Sequence, residues 1–252
     1  MNTSKLRDFI EESTELFRSL PSLTVSIFIA ATIIMNLLAN KSMNVPFSWL
    51  ALDCGFIVSW LVFLILDIVT RHYGPRAATM LTVGGIAVNL FFCLILYAGS
   101  RIPGVWGESF VEGSEDVINA ALNHTFGGTS YVLLGSSIAF FVSSVVNNFT
   151  NWYIGVTLRK KREASFGTYA ARTYVSTAIG QFVDNLVFAL LVSHRFFGWS
   201  LTQCITCAIT GAIAELLCEV VFSPIGYRIS NSWQRQRVGE SYITRYVMEG
   251  QR

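Results

Sequence analysis

Charge is the first thing this sequence lacks. Only 13% of its 252 residues are Asp, Glu, Lys or Arg, about half the share of a soluble domain, while 52% are hydrophobic. Too few polar side chains remain to cover a water-facing surface, which excludes an ordinary soluble globule. The net charge of +2 offers no strongly basic face, so no nucleic-acid partner is expected. Histidine is scarce: His72, His124 and His194 fall at the ends of apolar runs or in loops and are read as interfacial polar residues. Cys204 and Cys207 stand at redox-like or zinc-like spacing, but no second Cys/His pair matches them, and a structural role is assigned. Cys54, Cys93 and Cys218 read as small buried apolar residues. No glycine-rich phosphate loop, nucleophile elbow or zinc-protease helix is present. The chain is therefore read as not an enzyme, with no catalytic residue, cofactor or metal. Asn123-His124-Thr125 and Asn148-Phe149-Thr150 match a glycosylation pattern, but the second lies inside an apolar run.

Long apolar runs are what the chain has instead. Six of them, Leu23–Ala39, Trp49–Val69, Ala78–Ala98, Ser130–Leu158, Tyr174–His194 and Ser200–Tyr227, are long enough to cross a hydrocarbon layer about 30 Å thick. Each is expected to be helical, because lipid forces every backbone group to find its partner within the segment. The fold class is accordingly an all-α membrane protein, a bundle of six transmembrane helices spanning residues 23–228. Residues 1–22 precede it, with Leu6, Phe9, Ile10, Leu16, Phe17 and Leu20 at helical spacing before Pro21, the mark of an amphipathic helix lying on the membrane. Residues 229–252 read as a cytoplasmic tail.

Basic residues set the expected orientation. With the N-terminus inside, fifteen of the 18 Lys and Arg fall on the inner side. Only Lys41, Arg101 and Arg195 fall outside. Both termini are then cytoplasmic, and Trp49 and Trp199 stand at the outer ends of their spans, where aromatic belts form. The longest outer connection, Gly99–Thr129, is expected to hold a short helix capped by Ser114, with Glu115 and Asp116 in its first turn and Gly127-Gly128 at its end. It reads as a surface helix, with a lid as the alternative.

The informative residues are polar ones inside the spans, where an ionisable group costs roughly 2.5–3.5 kcal/mol on insertion scales. Asp67 lies one turn before Arg71, the spacing of a helix ion pair, and Asp53 is within reach of Lys41. Both have structural readings. Asp184 stands twelve residues from Arg172, about 18 Å along a helix, near mid-membrane. It continues a polar stripe through Ser176/Thr177, Gly180/Gln181 and Asp184/Asn185. The fourth span carries Ser143/Ser144, Asn147/Asn148 and Asn151, and the sixth carries Glu215 and Glu219 on one face. Helix–helix hydrogen bonds account equally well for the Ser and Asn residues. Asp184 and Glu215, with no Lys or Arg at matching depth, point to a polar pocket between spans. Its many acceptors, several amide donors and lack of fixed positive charge suit a cation or a neutral heterocycle with a dense hydrogen-bonding edge, such as a purine-like base. Phe56, Trp60 and Phe182 are available for stacking.

Three blocks carry a resemblance. Leu66-Asp67-Ile68-Val69-Thr70-Arg71-His72-Tyr73-Gly74, the run from Arg172-Thr173-Tyr174 through Gly180-Gln181-Phe182-Val183-Asp184-Asn185, and Glu219 to Tyr227 with Ser223-Pro224 resemble spans two, five and six of the queuosine precursor transporter family, also called the putative vitamin uptake transporter family. The likeness runs from about Ile33 to Tyr227, and the fifth-span block is its most specific part. It implies a six-span protein of the bacterial or archaeal inner membrane that takes up 7-deazaguanine-type precursors of queuosine for salvage into tRNA. It also implies a helical fold similar to the substrate-binding subunits of energy-coupling-factor vitamin transporters. Carried over, it marks Asp67, Arg71, Gln181 and Asp184, with Asn36 as a further candidate. Together with Glu215, Asn185, Asn147 and Phe182 these form the expected substrate-binding set. Two departures stand out: Glu215 where family members often have Lys, and Ser144 and Asn147 where many have Gln and Asp.

A stand-alone transporter, a binding subunit that needs a separate ATPase module, and a ligand-free assembly protein all remain compatible with this reading. Ser26 and Ala30 offer a small-residue face for the second. Assembly of the chain with copies of itself is compatible with each.

Overall fold

The computed structural model describes residues 3–43, 46–50, 52–107, 112–127, 130–159 and 165–248. Gly128, Lys160, Lys161, Arg162 and Arg252, which enter the reading above, lie outside the described residues, as do the side chains of Lys5 and Leu6. The chain folds as helices α1 (Thr3–Ser19), α2 (Ser22–Leu38), α3 (Phe56–Tyr73), α4 (Pro75–Arg101), α5 (Glu115–Gly127), α6 (Ser130–Arg159), α7 (Phe166–Phe188) and α8 (Leu201–Arg235). A π-helical turn, Ala189–Ser193, carries α7 on into His194–Phe196. A last segment, α9 (Glu240–Tyr242), continues as a π turn over Ile243–Met248.

The spans lie close to where the apolar runs put them, with three displacements, one of which is that α8 runs on to Arg235, eight residues past Tyr227. The second span begins at Phe56 rather than Trp49, because the described residues ahead of it pair back on one another: Cys54 N donates to Lys41 O (2.8 Å) and Met43 N to Leu52 O (2.8 Å). The fifth begins at Phe166, eight residues before Tyr174. Ser165 caps it there by accepting from Thr168 N. Among the described residues, five helices are long and apolar enough to cross a membrane. The pair α1 and α2, bent by 106° at Pro21, raises the number to six if the pair counts as one crossing.

Local chemistry explains the joints. Gly74 takes φ 92°, which a side chain resists, and Pro75 follows at the first turn of α4, so α3 reverses into α4 without a loop. Ser200 and Gln203 form a reciprocal capping box at the start of α8. Pro224 interrupts the α8 ladder, and Ser223 Oγ donates to Val220 O (3.3 Å), the carbonyl that proline leaves without its helical donor.

Polarity is distributed inside out. Phe91, Leu94, Tyr153, Leu217 and Val221 are exposed on the outer faces, whereas Ser143, Ser144, Asn147, Asn148, Asn151 and Gln181 are fully buried. This is the arrangement lipid requires, since lipid gives no hydrophobic drive for apolar faces to meet, and close packing and hydrogen bonds join the spans instead. Glycines provide the close approaches. Gly180 of α7 lies against Asn147 and Phe63, and Gly211 of α8 against Asn185.

Both ends of the chain meet at one end of the bundle, called the basic end here. Glu12 of α1 is buried, pairs with Arg76 at the start of α4 and accepts from the Tyr242 phenol (3.2 Å). Burial pushes the Tyr242 phenol up from its ordinary value, which keeps it a donor. Tyr73 donates to Ser19 O (2.8 Å), and His72, Tyr73, Trp233 and Tyr242 form an edge-to-face aromatic cluster. Within the region read as a tail, Ser230, Trp233 and Tyr242 are thus buried against the bundle. Only part of the expected stripe on α1 faces outward: Leu16 and Leu20 are buried against the bundle, while Phe9, Ile10 and Phe17 remain exposed. At the far end, α5 has no buried residue and is held by Trp106, whose indole donates to Asn123 (2.9 Å).

Candidate functional site

Two polar assemblies occupy the interior, one above the other along α3, α6, α7 and α8. The first lies toward the far end around a small cavity of about 20 Å³ lined by Asp53, Ser59, Ser136, Asp184, Asn185 and Glu215, with Met35 and Phe188 among its apolar walls. Asp184 comes from α7, where Ser143 Oγ of α6 donates to it (2.7 Å). Glu215 of α8 accepts a short hydrogen bond from Ser59 of α3 and a longer one from Asn185 Nδ2 (3.5 Å). Asp53 sits in the fold-back before α3 and accepts from Gly55 N (2.7 Å). Asn36 joins from α2 by accepting a short hydrogen bond from Ser136. Three carboxylates thus face one cavity, and no Lys or Arg is among its lining residues. Such a site favours a cation, a proton or a ligand edge rich in N–H donors.

The second assembly lies toward the basic end. Asp67 of α3 accepts from Asn147 Nδ2 (2.9 Å) and Thr177 Oγ1 (3.4 Å). Asn151 accepts from both Nε (2.8 Å) and Nη2 of Arg172 and donates to Ser176 (3.2 Å). Tyr174 and Ser223 share a hydrogen bond of 2.9 Å between α7 and α8. Glu219 is fully buried and within electrostatic reach of Asp67.

Several buried atoms in this seam have no hydrogen-bond partner among the described residues: both amide atoms of Gln181, both carboxylate oxygens of Glu219, Asn147 Oδ1 and Ser144 Oγ. Buried polar groups are nearly always paired, since burying an unpaired amide costs several kcal/mol. These positions along the seam are open to a hydrogen-bonding partner such as water or a ligand. Gln181 stands one turn before Asn185, whose Nδ2 donates to the Gln181 carbonyl (2.9 Å), and so links the two assemblies.

The residues singled out from sequence divide among these places. Asp184, Glu215 and Asn185 meet at the small cavity, with Asn36 beside it. Gln181, Asn147 and Asp67 lie along the seam. Arg71 stands apart at the basic end, where it donates to Asn231 (2.8 Å) and lies over the rings of Tyr169 and Tyr227 at 5.1 and 5.0 Å. The contacts described for Asp67 run to α6 and α7 rather than along its own helix to Arg71, because its neighbours across the bundle offer better-placed donors. Phe182 is exposed on the outward face, since its position on α7 is out of phase with Gln181 and Asn185, and the structure does not bring it to the seam. Trp60 stacks on Phe222 at 4.2 Å, while Phe56 does line the small cavity.

Asp53 does not turn to Lys41, the partner its position in the chain suggests. Its carboxylate points inward to Gly55, while Lys41 offers its backbone carbonyl to Cys54. The fold-back that redirects Asp53 is not visible in helical periodicity. Ser59, Ser136 and Arg172 likewise enter through tertiary contacts. Glu219 is legible as the helical neighbour of Glu215 but has no partner in sequence to mark its depth.

Apolar outer faces, a polar seam and, among the described residues, five helices long and apolar enough to cross a membrane define a multi-pass membrane protein. A family model described as "Putative vitamin uptake transporter" matches residues 53–229, and the chain belongs to that family. Searches of curated proteins and of solved structures returned no match.

Proposed function

We propose that the protein imports a 7-deazaguanine-type base, a precursor of queuosine, across a bacterial or archaeal inner membrane. In this reading all six apolar segments span the membrane, both termini are cytoplasmic, and the bundle is akin to the binding subunits of energy-coupling-factor transporters. The observation that carries the proposal is the open amide of Gln181, fully buried one turn before Asn185 of the acid-lined cavity. An amide presents a donor and an acceptor side by side, and carboxylates accept N–H groups. A fused heterocycle with adjacent ring N–H, amino and carbonyl groups supplies the complement. Asp184 and Glu215 then accept from the base, Gln181 reads its mixed edge, and Asn185, Asn147 and Asn36 complete the lining. Asp67 holds Asn147 in place, and Arg71 stands at the inner exit.

The geometry also defines the state. A cavity of about 20 Å³ holds little more than one water, so the spans must part before a heterocycle enters. The described residues of the fold-back meet α8 at the far end, where Thr206 Oγ1 donates to Trp49 O (2.8 Å) and Gln203 Nε2 to Ser48 O (3.0 Å). Opening toward the far side breaks these two contacts first.

The test is uptake of labelled queuosine precursors by cells unable to make them. Expression of the chain should restore queuosine to their tRNA, whereas no gain over empty vector with any precursor would remove this substrate. One observation favours an alternative means of driving transport: Ser26 and Ala30 both lie on the outward face of α2, where a partner helix can approach closely. Purification that brings down an ATPase module would assign the chain as the binding subunit of a larger importer.

A further inference from the structure

One carboxylate of the seam belongs neither to its hydrogen-bond network nor to the expected cargo site. Glu219 of α8 is fully buried, and neither of its oxygens has a hydrogen-bond partner among the described residues. Asp67 of α3, also fully buried, lies within electrostatic reach of it. The two differ in their surroundings. Asp67 accepts from Asn147 and Thr177, and Arg172 of α7 lies within its electrostatic reach. Glu219 has the like charge of Asp67 for a neighbour instead. Taking a carboxylate out of water without a donor is among the costliest burials in a protein, and a like charge nearby adds to the cost. A bound proton removes that charge. We infer that Glu219 is a proton-binding site, and that the proton it takes up and gives back drives transport; the second part rests on the transport function proposed above.

Placement supports the assignment. Glu219 stands one turn beyond Glu215, which lines the far-end cavity, and one turn before Ser223, which shares its hydrogen bond with Tyr174 of α7. It therefore lies between the cargo site and the basic end. On α7, Tyr169, Thr173, Thr177 and Gln181 recur at four-residue spacing, the repeat of one helix face, and all four are buried. Tyr169 lies within electrostatic reach of both Asp67 and Glu219. The hydroxyls of Tyr169 and Thr173 make no hydrogen bond of ordinary geometry among the described residues. A hydroxyl both donates and accepts, so this ladder can pass a proton between the seam and the basic end. Leu64 of α3 and Tyr169 of α7 both press on Gly226 of α8, which brings together the three helices that carry Asp67, Tyr169 and Glu219. The other ionisable groups near them are Cys218, within reach of Glu219, and Arg71, which covers the Tyr169 ring at 5.1 Å. α6 carries no charged side chain before Arg159. The proton balance is simple. The Glu219 carboxylate takes a proton from the far side and becomes a neutral acid, so α3 and α8 face each other across one negative charge instead of two. The proton leaves toward the basic end with release of the cargo, and the carboxylate is restored.

The experiment uses the purified full-length protein in lipid. In the first arm, infrared spectra of the wild type and Glu219→Gln are compared at neutral pH without cargo. The wild type should show a protonated-carboxyl band that the variant lacks, and no such difference overturns the proton site. Should Glu219→Gln fail to fold, Glu219→Asp serves here, and the band should shift. In the second arm, proteoliposomes are given a labelled queuosine precursor. The wild type should accumulate it under an inward proton gradient and lose it when a protonophore is added. Glu219→Gln, fixed in the neutral form, should keep exchange of internal for external precursor within about twofold and lose about tenfold or more of the accumulation. Glu219→Asp, which keeps a titratable group, should still accumulate. Structural damage would lower exchange and accumulation together, and that result in both variants overturns the coupling role. So does accumulation that ignores the protonophore, follows a sodium gradient instead, or survives Glu219→Gln. A wild type that exchanges no precursor sinks the transport function and the coupling with it, while the proton site stands or falls on the infrared arm alone.

Discussion

The two ends of the bundle build cavities of different composition from the same helices. Toward the far end, α3, α7 and α8 bring Ser59, Asp184, Asn185 and Glu215 around a small cavity of about 20 Å³ that Asp53 also lines, making three carboxylates. Toward the basic end, α3 and α7 turn Arg71 and Arg172 toward a cavity of about 500 Å³. The cavity at the far end is lined by acids and no Lys or Arg, whereas the lining at the basic end includes Arg71, Arg172 and Arg237. In the seam between them, Gln181, Glu219 and Asn147 Oδ1 keep open hydrogen-bonding positions among the described residues. Neither charge dominates there, and hydrogen bonding decides.

The largest effect expected is at the acid end. Asp184→Asn combined with Glu215→Gln should reduce precursor uptake by about a hundredfold, since each removes an acceptor whose charged hydrogen bond contributes about 1.5–3 kcal/mol. Protein level in the membrane should be unchanged on immunoblots. Uptake at the parental rate would break the comparison by showing that the acids are structural. Asp53→Asn tests whether the third carboxylate belongs with the other two, with an expected loss of about tenfold by the same arithmetic; an unaltered rate would return Asp53 to a loop-holding role.

The next effect concerns spacing. Gly180→Leu forces a side chain against Asn147 and Phe63, and overpacking of this kind destabilises by roughly 1–3 kcal/mol. The melting temperature in detergent should fall accordingly. A stable Gly180→Leu variant would mean that α6 and α7 have room to separate at the seam. A smaller effect is expected at the basic end, where Tyr242→Phe removes the hydrogen bond to Glu12. A loss of about 1 kcal/mol should appear as faster amide exchange confined to α1 and the last segment. The smallest is Phe182→Ala: its ring faces outward, and uptake should change less than about twofold, whereas a tenfold loss would restore the stacking role and contradict its place on α7.

The membrane class, the helical character and the location of the apolar runs are legible from composition and hydropathy alone, because lipid imposes one rule on every residue of a span. Boundaries are less so. Trp49 is apolar but belongs to a fold-back pinned by hydrogen bonds to Thr206 and neighbouring residues of α8, and Phe166 to Thr173 are helical although their composition is mixed. Within the site, Asp184 and Glu215 stand out along the chain, since an acid in an apolar run with no base at its depth must face a cavity or a partner. Asp53 and Arg172 do not, because each has a plausible partner or boundary role nearby in sequence and a different one in space. Phe182 departs the other way: an aromatic in a functional block sits 36% exposed on the outer face.

Sequence by itself determined that this chain must live in a membrane, and which of its residues are too polar to face lipid. It could do so because burial cost depends on the kind of residue and its depth, both of which are read along one helix. Only the tertiary structure decided which polar residues share a space: that Asp53 joins Asp184 and Glu215, that Asp67 turns to Asn147, and that Arg71 and Arg172 wall a separate cavity. Those pairings depend on the rotation and spacing of neighbouring helices, set by contacts such as Gly180 on Asn147 and Gly211 on Asn185, which no pattern along a single span contains.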